Sequence, residues 1–279
     1  MANLPTNFLI SPRKRFIRGL CIILGLSFIV LGFWNKINVG EQKTLWIIDN
    51  SLSMTVVDIH TKTGIVISRL DLAKQIAINV SSKIYGEQAL MTVNNGAKLE
   101  LPLTKNNAIF QEITQGITPL FRGGGSSIVT PIEIIRLIYG EVPNLHIIWI
   151  TDGEFFDSGS TLSGFIVPPN ITFIGVGTIA GGPILEGYTP DGFPKYKQSQ
   201  GEKINSIRDD KKLKKSAQLL DADILLRDDN SLTDIQSLTQ KNKSTGNTNS
   251  GLLIFGFLLT IVGFVFPRYQ YLSSKKTGK

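Results

Sequence analysis

Cysteine and histidine are nearly missing from this chain. Cys21 stands alone, so no disulfide framework can form within one molecule. His60 and His146 are the two histidines, and no cysteine lies between residues 41 and 236. That scarcity argues against zinc or copper chemistry, which wants thiolate and imidazole ligands. The middle of the chain also lacks an excess of either charge. Of 29 basic residues, Arg13, Lys14, Arg15 and Arg18 lie before residue 19, and Arg268, Lys275, Lys276 and Lys279 lie after residue 267. The remaining 21 basic residues face 22 acidic ones. The net charge of +7 therefore belongs to the tails, and a nucleic-acid-binding core is not expected.

Two stretches lack charge altogether. Gly19–Trp34 and Gly251–Pro267 are apolar runs with no charged side chain. At 1.5 Å per residue each covers about 24–26 Å, slightly short of a ~30 Å hydrocarbon core. Arg18 can snorkel beside the first run, and Trp34, Tyr269 and Tyr271 can sit at interfaces. A buried core helix would show a polar face, and neither run has one. A cleavable signal would end in small residues, whereas Asn35-Lys36-Ile37-Asn38 follows the first run. The runs at 19–34 and 251–267 are accordingly expected to be two transmembrane helices. Basic flanks on both outer sides place the tails (1–18 and 268–279) in the cytoplasm and the middle across the membrane. A polar stretch at 237–250 reads as a linker.

Between the spans, residues 41–236 alternate strand and helix. Thr44–Asp49, His146–Thr151 and Ile171–Gly177 are continuous apolar runs, as strands covered on both faces require. Ser68–Ile84 carries an apolar helical stripe behind a Ser68/Asp71 capping pattern. Gln88–Val93 and Ala97–Leu103 flank Asn94-Asn95-Gly96, a hairpin signal. Helices are predicted over 107–117, 131–138, 208–220 and 232–240, and a short strand over 222–226. Residues 184–197 are expected to form a hairpin insertion at the sheet edge, with Tyr188, Phe193 and Tyr196 as candidate partner contacts. The fold class is α/β: an open, doubly wound, mostly parallel sheet with one antiparallel edge strand, flanked by the two transmembrane helices.

In open α/β sheets, ligands bind beyond the carboxyl ends of strands. Two buried strands here end in an acid, Asp49 and Asp152. Ser51 and Ser53 follow the first at alternate positions, and Gly123-Gly124-Gly125 leads into Ser126 and Ser127. Hydroxyls with a few carboxylates suit a hard cation such as Mg²⁺, or Mn²⁺ or Ca²⁺. The second-loop ligand is left open among Ser126, Ser127 and Thr130. Other chemistries fit less well. Gly175–Ala180 matches a dinucleotide fingerprint, but Gly181-Gly182-Pro183 follows where a helix is needed. A phosphotransferase with Asp49 as nucleophile lacks the second Asp at position 51. For a serine hydrolase, His146 starts the strand that Asp152 follows, about 20 Å away, and His60 lies in a loop that could approach the site, but no Gly-x-Ser-x-Gly elbow is present.

Asp49-x-Ser51-x-Ser53, the Gly-Ser loop and Thr151-Asp152-Gly153-Glu154 together resemble the metal-ion-dependent adhesion site of von Willebrand factor type A domains. The resemblance implies that Asp49, Ser51, Ser53, Ser126 and Asp152 hold the metal, directly or through water. Ser53-Met54 through Asp58 to Ser68-Arg69-Leu70-Asp71, and Gly175-Val176-Gly177-Thr178 through Gly181–Ile184, resemble the Bat (aerotolerance) branch. That branch implies a non-catalytic binding or chaperone-like scaffold in a bacterial cell envelope, and the basic outer flanks then put its domain on the periplasmic side of the inner membrane. It also implies MoxR-type AAA ATPases and other von Willebrand proteins as associates. The alternatives are a metal-dependent phosphohydrolase and a structural scaffold whose metal site is vestigial.

Overall fold

Six strands form the central sheet, and their order is what places the site. The computed structural model describes residues 42–121, 125–157, 164–166 and 169–229, with isolated positions at 20, 22–24, 26, 27, 258, 260 and 261. In chain order the elements are β1 (Lys43–Asp49), β2 (Val57–His60), β3 (Val66–Ser68), α1 (Arg69–Ser81), β4 (Glu87–Val93) and β5 (Ala97–Thr104). Then come α2 (Asn107–Gln115), α3 (Val129–Tyr139), β6 (Leu145–Thr151) and β7 (Asn170–Val176). Six short strands follow: β8 (Gly182–Pro183), β9 (Leu185–Tyr188), β10 (Pro194–Tyr196), β11 (Gln198–Ser199), β12 (Glu202–Lys203) and β13 (Asn205–Ser206). The last two are α4 (Asp210–Leu219) and β14 (Asp223–Arg227).

The sheet order is β14-β7-β6-β1-β4-β5, parallel throughout except for the β4–β5 hairpin at one edge. The chain first grows from β1 toward β4 and β5, then returns to lay β6 on the other side of β1. The order therefore reverses between β1 and β6, and a crevice opens at their carboxyl ends. Both faces of the sheet are covered, which explains the unbroken apolar runs. Trp46 and Ile48 of β1 face one core layer with α1 and Phe110 of α2. Leu45 and Ile47 face the other, with α3, α4 and the rings of Trp149, Phe155 and Phe173.

Local chemistry sets the helix ends. Ser68 Oγ accepts from Asp71 N (3.0 Å) and donates to the Asp71 carboxylate (2.6 Å), so α1 starts where the capping pattern predicts. It ends at Ser81 rather than Ile84, because Lys83 N and Ile84 N turn back to Val80 O and Ser81 O in a tightened last turn. The helix predicted over 107–117 is capped by Asn106 and stops at Gln115, before Gly116. The helix predicted from Arg208 begins two residues later, with Asp209 as its cap (2.9 Å to Lys212 N). The helix predicted over 232–240, the polar linker and both basic tails lie outside the described residues. So do the two uncharged runs, apart from a few helical positions. Among the described residues, no helix is long and apolar enough to cross a membrane.

The insertion after β7 differs from expectation in place and form. It comprises three small antiparallel pairs, β8 with β13, β9 with β10, and β11 with β12, none joined to the central sheet. It packs instead on the 3-10 turn Leu52–Thr55 that follows β1, where Leu185 N donates to Thr55 Oγ1 (3.1 Å). Sheet edges offer free backbone groups, but the return through Ser206 is tied to buried polar groups at the crevice. Tyr188 and Phe193 are exposed, whereas Tyr196 is half-buried beneath Lys203 Nζ (4.3 Å from its ring centre).

Phe110 is fully buried, and its ring centre lies 6.0 Å from that of Trp46. Phe110→Ala is expected to cost about 3–5 kcal/mol in urea unfolding. Tyr85→Ala, at an 83% exposed position, should stay within about 0.5 kcal/mol. Equal costs at the two positions would contradict the core assignment.

Candidate metal centre

The crevice between β1 and β6 is where the sequence-chosen oxygens meet. The parallel register sets Ile48 beside Ile150 and so brings both strand ends to one level. Asp49 is completely buried there. Its Oδ1 accepts from Ser51 N (2.9 Å), which folds the chain back into the 3-10 turn. Its Oδ2 accepts two hydroxyls, Ser126 Oγ at 2.8 Å and Thr151 Oγ1 at 2.7 Å. Ser51 Oγ and Ser53 Oγ lie 3.1 Å apart, both buried. Groups from the first loop, the second loop and the end of β6 thus surround one carboxylate.

The candidate hydroxyls of the second loop bond to different partners. Ser126 is held by a bridge to Phe155, with Phe156 N donating to Ser126 O, and its hydroxyl reaches Asp49. Ser127 turns the other way. Its hydroxyl donates to Asp157 Oδ2 (2.5 Å) and accepts from Thr130 N (3.1 Å). Asp157 Oδ1 accepts from Ile128 N (2.9 Å), so this acid caps α3 from the third loop. Ser127 and Thr130 belong to that cap. Gly123 and Gly124 lie outside the described residues.

Asp152, also fully buried, is not free. Its Oδ2 accepts from Arg69 Nη1 (2.8 Å) and its Oδ1 from Glu154 N (3.2 Å). Arg69 is fully buried at the first turn of α1, and its fork uses all five N–H donors. Nη2 and Nε go to Asp58, with Nη2–Oδ2 at 2.9 Å. The remaining donors reach Ser206 Oγ (2.8 Å) and Ser206 O (3.0 Å). Thr178 N and Oγ1 also donate to Asp58, at 2.9 and 3.0 Å. Gly153, at φ +80°, carries the chain past Asp152 where a Cβ would strike Leu213.

Electrostatics follow from this burial. Asp49 is pushed up to about 6, first by burial and then by the neighbouring Asp152, against the pull of the Ser51 and Thr151 hydrogen bonds. Glu154 is raised for the same two reasons. Burial alone would pull Arg69 down, but Asp58 and Asp152 hold it above its ordinary value. Crowded carboxylates that resist ionising, beside neutral hydroxyls, form a hard-oxygen donor set that a divalent cation would relieve. The residues present fit such an ion. Among the described residues there is no cluster of three His, Cys, Asp or Glu side chains fit to hold a metal.

Sequence reasoning assigned no role to Arg69, Thr151 or Asp157. Arg69 had a signal: it stands on the α1 stripe with Ala73, Ile76, Ala77 and Val80, an ionic side chain where apolar ones belong. His146 lies at the far end of β6, where its Nε2 is 3.0 Å from Thr172 Oγ1. His60 ends β2 and is exposed.

Comparison with known proteins bears on this geometry. Residues 44–154, which carry all five candidate ligands, match the family model described as von Willebrand factor type A domain. No curated protein matches the chain. Among solved structures, the fold is similar to that of a conserved hypothetical protein BatB from Bacteroides thetaiotaomicron. The two are 18% identical with a TM-score of 0.59, over 74% of this chain and 98% of that one. An aerotolerance-related membrane protein from Bacteroides fragilis, carrying multiple mutations to serines, is 20% identical. Its TM-score is 0.61, over 73% of this chain and 99% of that one.

Asp49 has a folded value near 6 against a reference of 3.8, so the cation-free native state holds its proton more tightly than the unfolded chain. The stability this gives is complete below the unfolded value and is lost as pH rises through about 6. Asp49→Asn should therefore unfold at higher urea than the parent at pH 8 in chelator, and the gap should close toward pH 4. A gap independent of pH would contradict the buried-carboxylate account.

Proposed function

We propose that this von Willebrand factor type A domain is a binding module whose divalent cation is held by Asp49, Ser51, Ser53, Ser126 and Asp152. The ion, Mg²⁺ first and Mn²⁺ or Ca²⁺ as alternatives, supplies an electrophilic position when bound, and a carboxylate from a partner protein completes its shell. One observation carries the reading: Asp49 gathers hydroxyls from the second loop and the end of β6 while Ser51 and Ser53 lie alongside. Asp49 fixes the register of the three loops, Thr151 holds its carboxylate in orientation, and Gly153 lets the third loop pass close to α4. The reading is of recognition, not turnover.

The setting we propose is the bacterial inner membrane. The uncharged runs 19–34 and 251–267 would cross it as helices, with residues 41–236 on the periplasmic side and 237–250 as tether. Support comes from the absence of charge in both runs and from their basic outer flanks. The similar Bacteroides fragilis protein is itself described as a membrane protein. Envelope protein assembly or maturation, with a MoxR-type ATPase and other von Willebrand proteins as partners, is the pathway this reading favours.

Thermal unfolding of the full chain in detergent, titrated with Mg²⁺, Mn²⁺ and Ca²⁺, tests the site. An ion at 100 times its dissociation constant should add about 2.7 kcal/mol. The rise should be absent in Asp49→Ala. Equal rises in both proteins would place the ion elsewhere, and no rise in either would favour the scaffold reading.

A further inference from the structure

Arg69 shares a carboxylate with the proposed ion site, and its geometry allows it little else. A carboxylate oxygen can accept two hydrogen bonds. On Asp49, Oδ2 is filled by Ser126 and Thr151, and Oδ1 keeps one place beside Ser51 N. On Asp152, Oδ2 is held by Arg69, and Oδ1 keeps one place beside Glu154 N. The guanidinium cannot swing away. All its donors are engaged, Gly177 beside it has no room for a Cβ, and Asp58 opposite is pinned by Thr178. Asp152 therefore already shares a fixed cation with Asp58, whereas no cation faces Asp49 in its hydrogen-bond shell.

We infer that Arg69 is a resident cation that positions Asp152 through one oxygen and lowers the affinity of the site for a divalent ion. This rests on the proposed ion site. Arg69 supplies the countercharge that lets the crevice stay folded without the ion, because a buried carboxylate without a partner is strongly destabilising. It also leaves Asp49, of the two proposed carboxylate ligands, as the one with no cation in its hydrogen-bond shell. An ion held by so little negative charge stays electrophilic, so a partner carboxylate tightens it. Arg69 further ties Asp152 to Ser206, the last residue of the insertion, and Ile207 N donates to Glu154 Oε1 (3.3 Å). The third loop and the insertion thus share one anchor.

The test is Mn²⁺ binding by calorimetry on the full chain in detergent, with two variants. The double variant Arg69→Met/Asp58→Asn removes one charge of each sign, so the net charge is unchanged. Its dissociation constant should fall about tenfold or more, because like charges at close range repel strongly in a buried site. Arg69→Lys keeps the charge and loses the fork. Although Lys cannot replace the fork's hydrogen bonds, its dissociation constant should stay within about threefold of the parent, since in this inference the charge of residue 69 sets the affinity. A purely structural Arg69 would instead weaken binding in both variants, and that result overturns the inference, as does tenfold weakening in Arg69→Lys alone if the double variant does not fold. Binding in the double variant but not in the parent would support it in its strongest form. Binding in the parent with no tightening in the double variant overturns this inference and leaves the proposed function standing. Binding in neither overturns both.

Discussion

Two carboxylates, Asp49 and Asp152, leave adjacent parallel strands with no solvent around them, and the structure near them is organised by that cost. An isolated buried charge is among the most unfavourable groups a protein can hold. Here each is met differently. Asp152 faces a guanidinium at 2.8 Å, and Asp49 faces a backbone N–H and two hydroxyls. Neutral donors only partly compensate a charge, so Asp49 resists ionising. A cation thus stands beside Asp152 and not in the hydrogen-bond shell of Asp49.

The surrounding fold follows from the same constraint. The strand-order reversal between β1 and β6 supplies the crevice, and the apolar layers on both faces exclude water from it. The first loop turns tightly because Asp49 holds Ser51 N. The third loop bends at Gly153 because α4 presses on it. The insertion lies over the first-loop turn and not along an edge, because Arg69 and Glu154 hold its return strand. Burial of charge thus decides the position of elements that hydrophobic packing alone would leave free.

Much of this was legible in the sequence, for physical reasons that differ by element. β1, β6 and β7 are unbroken apolar runs because they are buried on both faces, and the β4–β5 hairpin announces itself through Asn94-Asn95-Gly96. Helix starts were legible where the cap is local, as at Ser68, and displaced where side-chain geometry intervenes, as at Arg208, whose guanidinium instead binds Gly177 O (2.7 Å) and Asp210 (2.6 Å). The different partners of Ser126 and Ser127 were not legible. Asp157, 30 residues beyond Ser127, captures that hydroxyl for the α3 cap. The role of Arg69 was hidden for the same reason, since its partners lie 11, 83 and 137 residues away.

The central claim is that the unsatisfied half of this charge cluster is a cation site. Crystals of the protein grown or soaked with Mn²⁺ and measured for anomalous scattering address it most directly. The account predicts a strong anomalous peak at the β1–β6 crevice, about 2.1 Å from oxygens of Ser51 and Ser53 and next to Asp49. Arg69 should remain bound to Asp152 in that crystal. A peak confined to exposed acids such as Asp209 and Asp210, with the crevice bare at saturating Mn²⁺, would contradict it.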